Sequence, residues 1–176
     1  MNNVDYDTLY EKVLASIPLG EKLVQLEKLL KPTGSVYGSS DGFLRGDESF
    51  EEVVLGDFAT LKKLNLTYEQ VADKLESMIM GHGQEFFRQG SFKIVTEFTC
   101  GEQNCPWGDD YTDKASVMWL MPDDGKPFYP GEMRDCKNPI QVSGLIPHLI
   151  RDHYFFEGKG SPYRVDPERI LSLFRE

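Results

Sequence analysis

The chain contains three cysteines and three histidines, and two of each fall into close pairs. Four residues separate Cys100 from Cys105, four separate His148 from His153, and 42 lie between the pairs. Thiolate and imidazole are donors that zinc prefers, and it takes four of them in a tetrahedron. Gly101 gives the CGEQNC turn the backbone freedom for two sulfurs to converge. Cys100, Cys105, His148 and His153 are therefore the candidate ligands, Zn2+ is the candidate ion, and Cys136 is a substitute donor. The same residues also read as ordinary buried thiols and half-buried histidines, or as a redox pair Cys100–Cys105. His82, between two glycines, reads as a surface residue at a helix end.

The candidate donors have to be positioned by the elements around them. Asp5 to Ala15 has the pattern of a capped helix, and Leu19, Leu23, Leu26, Leu29 and Leu30 mark a second that must stop before Pro32. Thr33 to Gly56 is punctuated by Gly, Ser and Asp and reads as irregular, followed by a short helix over Phe58 to Leu64. Thr67 and Gln70 form a capping-box pair ahead of Val71, Leu75, Met78 and Ile79. The period then changes. Phe92 to Thr99 alternates like a strand, and ASVMWLM at 115–121 is its partner across the cysteine turn. Ser143 is the expected cap of a helix through Leu145, Ile146, Leu149 and Ile150, with Pro147 tolerated in its first turn. Asp166-Pro167-Glu168 opens a last helix. At about 100° per residue, His148 and His153 lie about 140° apart around such an axis, so chelation requires the helix to loosen at its end or the rings to reach inward.

Strand, cysteine turn, strand and a helix with two histidines is the order found in two-Cys, two-His zinc fingers. The stretch from about 92 to 157 resembles that family through CGEQNC at 100–105 and HLIRDH at 148–153. The resemblance implies a structural zinc held by Cys100, Cys105, His148 and His153. Two departures separate this chain from the family pattern: the long spacing between the pairs and a helix with only Arg151 between its histidines. The second argues against DNA binding.

Composition sets the outer limits. The chain has 176 residues, 40% hydrophobic and 27% charged, as expected of a single globular domain. Lys and Arg number 19 against 29 Asp and Glu, a net of −10 spread over both halves. Nucleic-acid binding needs a basic footprint, so a nucleic-acid partner is not expected. No apolar run is long enough for a membrane span, and the acidic first ten residues do not resemble a signal peptide. The expected compartment is the cytoplasm.

The fold class read from these features is α+β: a helical N-terminal part, then a small antiparallel β-hairpin and helix around zinc. One domain spans 1–176, with sub-regions 1–83 (helical) and 84–176 (zinc-finger-like). The expected function is a zinc-binding module with a structural metal, acting as a binding or adaptor unit toward a protein or small-molecule partner. The alternatives are a metal-dependent hydrolase, with Glu97, Glu102 or Asp152 as base, and a metal-free interaction protein.

Overall fold

A computed structural model describes residues 4–32, 42–45, 47–80, 86–89, 92–98, 103–113, 116–126, 136 and 139–174. The fold is α+β, with helices leading and a small antiparallel sheet following. Helix α1 (Tyr6–Ser16) begins where the Asp5 carboxylate accepts from the backbone N–H groups of Asp7 and Thr8. Helix α2 (Glu21–Leu30) buries Leu26 and Leu30, and its cap Lys31 is extended, as the residue before a proline should be.

Helix α3 (Phe50–Leu64) starts well before the Phe58 expected from sequence. Ser49 and Glu52 form a reciprocal capping box there, a signal hidden within a run of acids. Val53, Val54, Phe58 and Leu61 then supply a buried stripe. Helix α4 (Tyr68–Met80) is opened by Thr67 and Gln70, whose side chains accept from each other's backbone N–H at 3.2 and 2.9 Å.

Among the described residues the strands that follow are β1 (Phe86–Gln89), β2 (Phe92–Phe98), β3 (Gln103–Asn104), β4 (Thr112–Asp113), β5 (Ser116–Pro122) and β6 (Ile140–Ser143). The main sheet has the order β1-β2-β5-β6, antiparallel throughout, and β3-β4 is a separate two-residue ladder. The expected β2–β5 hairpin is therefore present but widened on both sides. Ile94, Leu120 and Ile140 lie side by side across three strands and join the core.

Helix α5 (Ile146–His153) packs on α4, where Arg151 reaches Asp73 and Glu76 at 2.7 and 2.6 Å. Ser143 is not its cap. Ser143 closes β6 with its side chain buried, and the N-cap position belongs to Leu145, with Pro147 in the first turn. The strand runs nearly to the helix, which leaves Ser143 no room to turn its hydroxyl onto the first N–H groups. Helix α6 (Pro167–Ile170) and a 3-10 turn (Leu171–Phe174) end the described chain. One contiguous core joins Val13 in α1 to Leu173 and includes Cys105, Phe155 and Phe156. Phe155 and Phe156 are fully buried in it.

Candidate metal centre

The segment 105–111 bridges β3 and β4 and carries CPWGDDY. The Cys105 N–H donates to the Tyr111 carbonyl at 3.0 Å, which closes the loop at its base. The Gly108 N–H donates to the Cys105 carbonyl at 3.1 Å, a β-turn that puts Gly108 at φ +76°. That backbone conformation suits glycine and strains other residues. Side chains at alternate positions, Cys105, Trp107, Asp109 and Tyr111, all meet α5. Gly144 lets the ladder approach the start of that helix, because a Cβ there would run into the Asp113 carboxylate.

Four side chains converge between this loop and α5. The ligand atoms of Cys105, Asp109, His148 and His153 all lie within 4.8 Å of one another. One Asp109 oxygen, Oδ2, is 3.0 Å from His148 Nε2 and 2.9 Å from His153 Nε2. Cys105 Sγ is 3.3 Å from His153 Nε2. Tetrahedral zinc with N, O and S ligands has donor–donor edges of about 3.3–3.7 Å, the scale on which these donor atoms are gathered.

The rings are fixed from behind. His148 Nδ1 lies 2.7 Å from Asp152 Oδ2, one turn along α5. A carboxylate on the far nitrogen of a metal-binding histidine sets its tautomer and turns the other nitrogen inward. Tyr111 stacks on His148, with centroids 4.0 Å apart and planes within 4°. Trp107 stacks on His153 at 4.2 Å and 11°. His153 is the last residue of α5, and Tyr154 follows in the left-handed region at φ +55°. Both histidines thus lie within α5, and it is the reach of their rings toward Asp109, not a loosened helix, that brings residues five apart to one point.

Electrostatics distinguish the donors. Burial pushes the Cys105 thiol up to about 12, although backbone N–H groups of Trp107 and Asp109 point at the sulfur and favour thiolate. Without a cation the group is a protonated thiol, ill-suited to nucleophilic attack; a bound divalent ion reverses that balance. Burial opposes ionisation of Asp109, but hydrogen bonds from Cys105, His153 and the Tyr111 N–H outweigh it and hold the carboxyl at about 2. Burial pushes His153 below its ordinary value, against the pull of Asp109, and so favours the neutral ring that metals bind.

Of the residues expected from sequence, Cys105, His148 and His153 come together. Cys100, Glu102 and His82 lie outside the described residues. Cys136 is half-buried and is not among the converging four. Glu97 is an exposed residue of β2, and Asp152 is engaged with His148. Asp109 was not anticipated. Its signal was a carboxylate four residues beyond Cys105, across a turn marked by Pro106 and Gly108.

No family model matches the chain, and no curated protein or solved structure matches it either. Among the described residues no helix is long and apolar enough to cross a membrane.

Proposed function

We propose that this protein binds zinc and that the ion is structural, pinning the 105–111 loop to the C-terminal end of α5 in a binding or adaptor module. The observation that carries the reading is the convergence of Cys105, Asp109, His148 and His153 within 4.8 Å. Proton bookkeeping supports it. A neutral His148 has one N–H, yet its two nitrogens face two carboxylates, Asp109 and Asp152. With a cation, Nδ1–H serves Asp152 and the Nε2 lone pair serves the metal, so the ring stays neutral. Thiolate, carboxylate and two neutral imidazoles balance a divalent ion, and this mixed donor set suits zinc.

Cys100 is the fourth ligand offered by the zinc-finger pattern, and Asp109 is the one offered by geometry. Zinc content per chain should approach one in the purified protein and fall to background in Cys105→Ser and His153→Ala. Zinc retained by Cys100→Ser but weakened in Asp109→Asn assigns the fourth position to Asp109; the reverse assigns it to Cys100. Undiminished zinc in both Cys105→Ser and His153→Ala removes the site. A thiolate ligand fits a reducing compartment such as the cytoplasm, and the acidity of the chain favours a protein or small-molecule partner over nucleic acid.

A metal-dependent hydrolase is the second reading. It is favoured by the Asp109 side chain, which is 38% exposed and so marks the face where water would enter. Zinc-dependent turnover of ester or amide probes that vanishes in His153→Ala would establish it over the structural role.

A further inference from the structure

The geometry points to Asp109 as the exchangeable donor of this centre, its place on the metal being taken by a neutral imidazole from outside the chain. The inference rests on the metal-binding reading and names the ligand class that the site accepts. Three donors are embedded: Cys105 is 4% exposed, and the His148 and His153 side chains are 9% and 14% exposed. Trp107 stacks on His153 and Tyr111 on His148. Asp109, at 38%, is the donor that meets solvent. The residue before it, Gly108, has open space where a Cβ would project, so the loop is not packed against a neighbour there. Asp109 is the one exposed donor of the four, so turning its side chain away removes no buried group, whereas displacing any other donor does.

The surroundings select the entering group. Asp110 and Asp152 are exposed beside the loop and Asp113 is half-buried at its end, while Glu76, which also lies toward Tyr111, is offset by its ion pair with Arg151. An anionic entrant meets this negative field, and a neutral one does not. Zinc binds imidazole nitrogen well. Exchange of a carboxylate for imidazole takes the coordinated set from neutral to a single positive charge, which the nearby acids favour.

The test uses the full chain loaded with Co2+, whose visible bands report coordination and whose near-ultraviolet thiolate band reports the Cys105 bond. Imidazole should shift the visible bands saturably and leave the thiolate band in place. Asp109→Ala should bind imidazole at least about tenfold more tightly, since the internal competitor is gone. Asp109→Asn, which keeps the side-chain shape, is the check if the alanine variant folds poorly. The same titration in Cys100→Ser excludes that thiol as the entering group. Acetyl-Gly-His-Gly-amide binding more tightly than imidazole assigns the donor to a partner chain; equal binding assigns it to a small molecule. Visible bands that ignore imidazole in wild type and in both Asp109 variants overturn the inference, as does acetate binding as tightly as imidazole. Failure to take up cobalt overturns the metal reading itself.

Discussion

Two groups of ionisable side chains flank the end of α5, one before Tyr154 and one after it, and they are balanced by different means. In the second, Arg164 grips the Asp57 carboxylate with two N–H donors at 3.1 and 2.5 Å. Burial lifts Asp57 to about 6 even against that guanidinium, so it is ionised at neutral pH and its counter-charge is built in. Glu157, fully buried at φ +67°, is raised by burial to about 8 and stays neutral, hydrogen-bonded to Ser161. In the first group, the partners of the Asp109 carboxylate are a thiol and two imidazoles. The Arg164 group answers each charge from within, by pairing or by protonation. The Asp109 group gathers lone pairs on one point, an arrangement a cation completes.

The largest effect should come from breaking the internal pairing. Arg164→Met leaves Asp57 buried without its counter-charge and should cost about 3–5 kcal/mol in urea unfolding, with zinc content unchanged. Adding Asp57→Asn should recover much of that loss. A single variant as stable as wild type would mean that the two groups do not differ as argued.

His153→Ala probes the other side of the contrast. A ligand present at a thousand times its dissociation constant stabilises the fold by about 4 kcal/mol. The variant should lose that increment with zinc present. With chelator present the two proteins should differ by the smaller loss of the His153 stacking on Trp107, about 1 kcal/mol, and of its hydrogen bond to the part-exposed Asp109, of similar size. An equal deficit under both conditions would make His153 a packing residue.

Much of this was legible before the fold was known, and the omissions have physical causes. Leucine spacing exposed α2, the Thr67 and Gln70 pair exposed the start of α4, and alternation exposed β2 and β5. The strands β1 and β6 are four residues each, too short for a period to stand out. The cysteine and histidine pairs were visible because such residues are few. Asp109 was hidden among 29 acids, and only the turn at Gly108 brings it to the rings. The support from Trp107 and Tyr111 depends on stacking distances that spacing alone does not encode, whereas Asp152 stands one helical turn from His148.

The pH dependence of stability separates the groups again. A raised folded value means that native Glu157 holds a proton which the unfolded chain releases between its ordinary 4.5 and about 8. Stability from this group is therefore present at low pH and lost as pH rises through that window, by at most about 1.4 kcal/mol per unit. Asp57 adds a loss of the same sign between 3.8 and about 6. His153, lowered in the fold, works in the opposite direction in metal-free protein. Urea unfolding with chelator should show a flatter profile above pH 6 in Glu157→Gln than in wild type. Parallel profiles would show that Glu157 is ionised in the fold.

The smallest effect is the most specific. Asp152 touches the centre only through His148 Nδ1, and its side chain is 52% exposed, so replacing it disturbs no core. Asp152→Asn keeps the size and can accept the same hydrogen bond through its amide oxygen, but it carries no charge to hold Nδ1–H and enrich Nε2. Zinc affinity in competition with a chromophoric chelator should fall about 10–100-fold, while metal-free stability stays near wild type. A stabilising ion pair at the helix surface would give the opposite pattern: unchanged zinc affinity and a loss of a few tenths of a kcal/mol in the metal-free protein. The two outcomes separate a carboxylate that orients a metal ligand from one that neighbours a histidine by helical spacing alone.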